Sequence, residues 1–312
     1  MAIVIQILLL IFGFLLLVKG ADWFVEGSSG IADKLRIPQL VIGLTIVAMG
    51  TSAPEAAVSI TAAAGGNADI SIGNVVGSNI LNILIILGIS SVITSIAVAK
   101  TTVRYEISIM LISTALLALF GMTGGEIVLW EAIVFLICFA LYLLYMFVMV
   151  KRGEMQAEEI ETSQKPIWLL ILMGVVGLAL VIWGSDVTVD SATALAEMFG
   201  MSEKFIGLTV VALGTSLPEL FTSVVAARKG KADIAIGNIV GSNIFNILLI
   251  LGVTGIILPV PFEQSFIIDC AVAAFAGVLL WLCVFRKKKL KLADGIIMLV
   301  AYAAYFVYLI VK

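Results

Sequence analysis

One stretch of this chain occurs twice. Residues 42–88 read IGLTIVAMGTSAPEAAVSITAAAGGNADISIGNVVGSNILNILIILG, and residues 206–252 read IGLTVVALGTSLPELFTSVVAARKGKADIAIGNIVGSNIFNILLILG, with 32 of 47 positions identical at an offset of 164. The likeness runs weakly backwards, Gly20-Ala21-Asp22 matching Gly184-Ser185-Asp186. The fold must therefore be assembled from two similar units. Two copies of a long apolar unit do not make a stacked solenoid, so the units must pack on each other in another way.

Hydropathy says where they pack. The 312 residues are 62% hydrophobic and 12% charged, whereas a soluble domain is about half apolar and about a quarter charged. The excess comes in long runs such as Ile3–Val18 and Trp168–Trp183, and a bilayer-spanning helix needs roughly 20 such residues. Apolar runs separated by charged or Gly/Pro breaks predict an all-α integral membrane protein with ten transmembrane helices, at 2–19, 40–64, 70–93, 104–122, 126–149, 166–184, 204–227, 233–257, 265–285 and 292–311. The first and sixth are expected to run on, broken, through Gly20–Gly30 and Gly184–Ala194. The apolar start has neither a cationic leader nor a small-residue cleavage site, so it reads as a first span and not as a signal peptide.

Loop charge alternates along these spans. One side receives Lys34, Arg36, Lys100, Arg104, Lys151, Arg152, Lys165, Arg228, Lys229, Lys231 and the run Arg286–Lys291, and the other Lys204 and Lys312, with Lys19 assigned to neither. The positive-inside rule makes the first side cytoplasmic, which puts both termini outside a plasma or inner membrane. Each half holds five spans, an odd number, so the second half enters from the opposite face. That is an inverted-topology repeat, a common architecture of secondary transporters, with five-helix units at 1–150 and 166–312. The linker 151–165, carrying Glu154, Glu158, Glu159 and Glu161, reads as a solvated cytoplasmic tether.

Several chemistries are disfavoured at once. The chain has no histidine, which removes the commonest zinc and copper ligand and the usual base of a hydrolytic triad. Cys138, Cys270 and Cys283 lie in apolar runs without a CxxC pair and read as packing residues. An enzyme, a cofactor, a nucleic-acid partner and an obligate protein partner are not expected; the expected partners are ions and the lipid bilayer.

Two acids stand out against this background. Glu55 follows Gly50-Thr51-Ser52-Ala53-Pro54 inside the second span, and Glu219 follows Gly214-Thr215-Ser216-Leu217-Pro218 inside the seventh. A carboxylate at membrane depth costs at least about 2.5–3.5 kcal/mol and should face a cavity and meet a counter-charge. No lysine or arginine is expected at that depth, so a bound cation is the simplest one. Pro54 and Pro218 lack an N–H and free a backbone carbonyl one turn earlier, near Gly50 and Gly214, and free carbonyls at this depth must line a cavity or meet a ligand. Thr51, Ser52 and Glu55 share a helix face, as do Thr215, Ser216 and Glu219. Carboxylate, hydroxyl and carbonyl oxygens form a hard-cation set, suited to Ca²⁺ or Na⁺.

The partner motif runs from Gly73 to Asn82 as GNVVGSNILN and returns from Gly237 to Asn246 as GNIVGSNIFN. Ser78 and Asn82 share a face, and the glycines permit close helix approach. The asparagines can serve as ligands or as interhelical hydrogen-bond partners, and both roles stay open. Asp22, Glu26, Asp186 and Asp190 are expected at span ends facing water, and Glu131 and Asp269 near the interface.

At these residues the chain resembles the sodium/calcium exchanger family of cation/calcium antiporters, whose repeats carry the GTS-x-PE and GN-x-x-GSN-x-x-N patterns found twice here. The resemblance covers the ten-span layout and is sharpest in the two repeats. It implies ten helices, the second, third, seventh and eighth lining four clustered cation sites. Position by position, it implies a Ca²⁺ site at Glu55 and Glu219 with Thr51 and Thr215. It implies Na⁺ sites at the Ala48 carbonyl, Ser52 and Ser78, and at the Ala212 carbonyl, Ser216 and Ser242, with Asn82 and Asn246 at the centre. Some prokaryotic and K⁺-dependent relatives carry Asp where Asn246 stands; Asn in both halves implies a symmetric, K⁺-independent site. The 15-residue linker is far too short for the regulatory domain of animal exchangers. A Ca²⁺/H⁺ antiporter of the same fold and, more remotely, a cation channel remain as alternatives.

Overall fold

The computed structural model describes residues 2–152, 163–201 and 212–311. The linker acids Glu154, Glu158, Glu159 and Glu161, together with Lys204, Lys312 and the first part of the expected seventh span, lie outside those residues. In lipid every backbone polar group must be satisfied within the protein, which leaves long apolar segments the helix as their main solution. The helices are α1 (Ala2–Leu35), α2 (Gln39–Thr51), α3 (Ala53–Ala64), α4 (Asp69–Ile93), α5 (Thr102–Gly124), α6 (Leu129–Arg152), α7 (Ile167–Met198), α8 (Ala212–Thr215), α9 (Leu217–Arg228), α10 (Ala232–Ile257), α11 (Ser265–Phe285) and α12 (Leu292–Val311). Among the described residues, eight helices are long and apolar enough to cross a membrane, and α2 with α3, bent by 48°, form a broken span or a re-entrant loop.

That bend follows from the sequence. Ser52 leaves helical geometry at φ −82°, ψ 8°, and Pro54 stands in the first turn of α3, where its missing N–H is no loss. Ser216 does the same at φ −90°, ψ 5°, with Pro218 opening α9. Among the described residues, four other helical stretches widen to a π turn, at Gly43–Val47, Asn82–Leu87, Thr102–Glu106 and Asn246–Leu251. Such bulges concentrate at functional sites, and two of these begin at the asparagines that close the duplicated motif.

The halves exchange partners. Two short antiparallel ladders close the loops, β1 (Ile96–Ala97) with β4 (Lys289–Leu290) and β2 (Glu126–Ile127) with β3 (Val260–Pro261). Subtracting the repeat offset turns 260 into 96 and 290 into 126, so one pairing occurs twice with the halves swapped.

α4 and α10 form the interior, with 72% and 83% of their apolar windows buried, against 17% for α1 and 22% for α7. α10 sits close on α2 because glycines face it: a Cβ at Gly237 would stand 3.0 Å from the Leu40 carbonyl oxygen, and one at Gly241 2.6 Å from that of Leu44. α1 and α7 instead pack antiparallel on each other. Gly13, Gly20 and Gly27 face Gly184, Gly177 and Gly174, and a Cβ at Gly20 would lie 2.8 Å from the Gly177 carbonyl oxygen. Both helices run unbroken, over 34 and 32 residues, and not broken as expected. Their glycines lie in the shared seam, where the partner backbone packs against them and holds the helical path.

Candidate functional site

The acids of the two halves meet. Glu55 and Glu219 are each 1% exposed, at the first turns of α3 and α9 where the proline bends turn them inward. Each is bonded by a hydroxyl of the opposite half: Ser52 Oγ donates to Glu219 Oε1 at 2.9 Å, and Ser216 Oγ to Glu55 Oε1 at 3.4 Å. Ser78 Oγ donates to Glu55 Oε1 at 3.4 Å, and Ser242 Oγ reaches the Ala48 carbonyl at 3.3 Å. Thr51 Oγ1 lies 2.9 Å from Asn238 Oδ1. Thr215, its counterpart, is only half-buried, and Ala212 opens α8 at the edge of the described chain.

Below the acids, four asparagines tie α4 to α10. Asn79 Nδ2 donates to the Asn243 carbonyl and Asn243 Nδ2 to the Asn79 carbonyl, both at 3.1 Å. Asn82 Nδ2 donates to Asn243 Oδ1 at 2.9 Å and Asn246 Nδ2 to Asn79 Oδ1 at 3.0 Å. With Nδ2 bonded across the helix contact, Asn82 and Asn246 offer Oδ1 to a ligand. These two amide oxygens, together with Glu55 Oε2 and Glu219 Oε2, are buried and without a hydrogen-bond partner. Two come from each half. A buried acceptor left unmade costs about 1–3 kcal/mol, more if charged, and among the described residues no lysine or arginine pairs with either carboxylate. Acceptors without donors, all oxygen, suit a desolvated hard cation.

Sequence reasoning missed a supporting layer. Asn74 Nδ2 donates to the Glu55 carbonyl at 3.1 Å and to Ser59 Oγ at 2.9 Å; Asn238 Nδ2 does the same to Glu219 at 3.5 Å and Ser223 at 3.0 Å. The signal was present, since residues 74, 78 and 82 fall four apart on one helix face. Tyr142 Oη donates to the Leu44 carbonyl at 3.1 Å, beside the widened turn of α2. One carbonyl expected to be free is not: Ser185 Oγ of α7 donates to the Gly214 carbonyl at 2.8 Å.

The remaining acids stand apart from this cluster. Asp22 and Glu26 form ion pairs with lysines. Glu131 Oε2 accepts the Val128 N–H at 3.0 Å, and Asp269 Oδ1 accepts the Tyr305 hydroxyl at 2.8 Å. A further buried acid that the sequence did not single out, Glu106, accepts the Tyr145 hydroxyl at 2.6 Å.

Fold and site together define a multi-pass helical membrane protein whose polar core is made by two copies of one unit. Its relatives narrow this further. The chain matches the family described as sodium/calcium exchanger protein over residues 5–148 and 169–311. It is 32% identical to the sodium/calcium exchanger MaX1 of Methanosarcina acetivorans, over 98% of this chain and 99% of that one. It is 36% identical to the inner membrane protein YrbG of Escherichia coli, over 88% of each. It is similar to a solved structure of the sodium-calcium exchanger NCX_Mj soaked with neither Na⁺ nor Ca²⁺, with a TM-score of 0.84 at 33% identity, covering 98% and 99% of the two chains. With Na⁺ and Sr²⁺ soaked into that exchanger the TM-score is 0.83. The chain belongs to the sodium/calcium exchanger family.

Proposed function

We propose that the chain is a secondary active antiporter exchanging Na⁺ for Ca²⁺, with ten transmembrane helices arranged as two inverted five-helix repeats, 1–150 and 166–312, about the linker 151–165. The observation that carries this reading is the set of four donorless buried oxygens, Glu55 Oε2, Glu219 Oε2, Asn82 Oδ1 and Asn246 Oδ1. Two carboxylates balance one Ca²⁺ formally. Ser52, Ser216, Ser78, Ser242, Thr51, Thr215 and the Ala48 and Ala212 carbonyls supply further oxygens for Na⁺. The ions compete because they share these oxygens. A site filled by either ion is charge-compensated and crosses cheaply, whereas an empty one carries two uncompensated acids, and this couples the fluxes.

Alternating access follows when α1 and α7 slide as a pair along the core. Their glycine seam and low burial support this reading. Both termini lie outside, given the loop charges. Under an inward Na⁺ gradient Ca²⁺ is exported. With more than two Na⁺ per Ca²⁺ the cycle moves net charge and feels about 2.3 kcal/mol per charge per 100 mV. Amides at both central positions leave no third acid for K⁺, so exchange is K⁺-independent.

The test is Ca²⁺ uptake into vesicles holding the reconstituted chain, driven separately by a Na⁺ gradient and a pH gradient, with and without K⁺ and at clamped potential. Uptake driven by Na⁺ and indifferent to K⁺ is expected. Uptake driven by the pH gradient alone makes the protein a Ca²⁺/H⁺ antiporter, and unsaturable flux without a counter-ion makes it a channel.

A further inference from the structure

One buried acid takes no part in the binding centre. Glu106 is fully buried, as is Thr102 one turn before it. The turn between them is one of the widened ones, Thr102–Glu106. Tyr145 of α6 donates to Glu106 Oε1 at 2.6 Å. Oε2 has no hydrogen-bond partner, and neither has Thr102 Oγ1, although that hydroxyl stands beside the carboxyl. At the repeat offset of 164 the counterparts of Thr102 and Glu106 are Phe266 and Cys270. The duplicated unit that builds the binding centre therefore does without this pair.

The side chains around Glu106 do not neutralise it. Tyr142 and Tyr145 face it from α6, and Asp233 faces it from α10 with a like charge. α11, which packs on the same turn, carries Asp269, Cys270 and Cys283 and no basic residue, and α2 carries no titratable residue at all. On the near side of its own helix, Lys100 and Arg104 are exposed, and Arg104 lies over the Tyr105 ring. Among the described residues no lysine or arginine forms an ion pair with Glu106. A bare carboxylate in such a place is costly, so a cation must answer it. A divalent ion such as Ca²⁺ asks for roughly six to eight oxygens, and among the described residues no three acids, histidines or cysteines gather. One carboxylate and one hydroxyl match a single positive charge.

We propose that Glu106 and Thr102 form a second cation site, for one monovalent ion, at the cytoplasmic end of the core and separate from the Glu55–Glu219 centre. Only the word cytoplasmic rests on the orientation given above; the site does not rest on the exchange reading. Two sources supply such a charge, Na⁺ and the proton, and either would sit on Oε2 and reach Thr102 Oγ1. The site borders the widened turn Gly43–Val47 of α2. Tyr142 bonds the Leu44 carbonyl at 3.1 Å, and a Cβ at Gly43 would lie 3.0 Å from the Asp233 carbonyl oxygen. Binding the ion therefore stabilises the packing of α5 and α6 on α2 and α10, and an unneutralised carboxylate loosens it.

The experiment follows thermal unfolding of the full chain in detergent. Glu55→Gln and Glu219→Gln silence the transport centre, and chains with and without Glu106→Gln are compared. Na⁺ is titrated against choline at fixed alkaline pH, and pH is varied without Na⁺. Gln keeps an acceptor for Tyr145 and removes the charge. Without Na⁺ at alkaline pH, the chain holding Glu106 should melt about 2–4 °C below its Glu106→Gln partner, and adding the ion should close that gap. Closure by Na⁺ at fixed pH identifies Na⁺ as the occupant; closure only on lowering the pH identifies the proton; either supports the site. Thr102→Val should raise the half-closing concentration about three- to tenfold. The absence of a gap, or a gap that neither ion closes, overturns the proposal. So does a Glu106→Gln chain that is the less stable under every condition. If the silenced chain does not fold, the same comparison runs on the parent and Glu106→Gln with Ca²⁺ saturating the transport centre. A parent without Na⁺-driven flux would sink the exchange reading and leave this measurement untouched.

Discussion

The core helix α10 and the outer pair α1 and α7 both rely on glycine, yet to opposite ends; the matching Gly77 of α4 has no atom within 4 Å of an added Cβ. In the core, Gly237 and Gly241 bring α10 onto α2 so that polar side chains meet at depth, and Asn238, Ser242, Asn243 and Asn246 are each at most 1% exposed. In the outer pair the glycines join two apolar helices to each other and leave their flanks to lipid: Leu8, Leu15, Ile171 and Val175 are all exposed. Close packing in the core is paid for with hydrogen bonds that have one geometry. Close packing in the pair is nonpolar and carries little that must be re-formed if the pair shifts as a unit. On the mechanism proposed above, binding and movement thus fall on different surfaces.

The largest expected effect lies on the binding side. Glu55→Gln or Glu219→Gln leaves the cation without one of its two charges, a loss of about 3–5 kcal/mol by analogy with broken buried ion pairs. Ca²⁺ uptake should fall on the order of 10²-fold or more, and calorimetric Ca²⁺ binding should weaken with it; near-normal uptake would break the comparison outright. Next is Gly20→Leu, which forces α1 from α7 and costs about 1–3 kcal/mol in overpacking. Turnover should drop while Ca²⁺ affinity at equilibrium stays put, and an equal fall in both would mean that the pair also shapes the site. Asn79→Ala strands the Asn246 amide and the Asn243 carbonyl. It should cost about 1–2 kcal/mol, read as a lower melting temperature in detergent, with affinity following. The smallest is Tyr142→Phe, which removes one bond to the Leu44 carbonyl. It should cost about 0.6 kcal/mol, and only Ca²⁺ affinity should register it.

Much of this was readable from the residues. The duplicated GTS-x-PE pattern picked out Glu55 and Glu219, and the helix bends fall where Pro54 and Pro218 put them. The spacing puts Ser52 and Ser216 on a helix face with Glu55 and Glu219, but both stand at a break between helices, and each hydroxyl crosses to the other half's acid. That crossing needs the three-dimensional relation between halves. Asn82 and Asn246 could be ligands or struts, and the structure gives each atom its own part: nitrogen as strut, oxygen left over. The widened turns at Asn82 and Asn246 left no trace in composition, because a π turn arises from packing around a helix and not from the propensity of its residues. Asn79 and Asn243 were passed over for the same reason, since only the contact between α4 and α10 shows that they bond each other. The Gly214 carbonyl was misjudged because its donor, Ser185, is remote in sequence and has alanine, Ala21, as its counterpart.

The two loop ladders have a mechanical meaning. Ile96 is stitched to Leu290 on one face of the membrane and Ile127 to Val260 on the other. Each stitch clasps neighbours from opposite halves: α5 and α11 are tied at both rims, and α4, α6, α10 and α12 at one, like the staves of a cask. Neither hoop includes α1 or α7. On the alternating-access reading proposed above, the staves stand still and the unhooped pair slips along them.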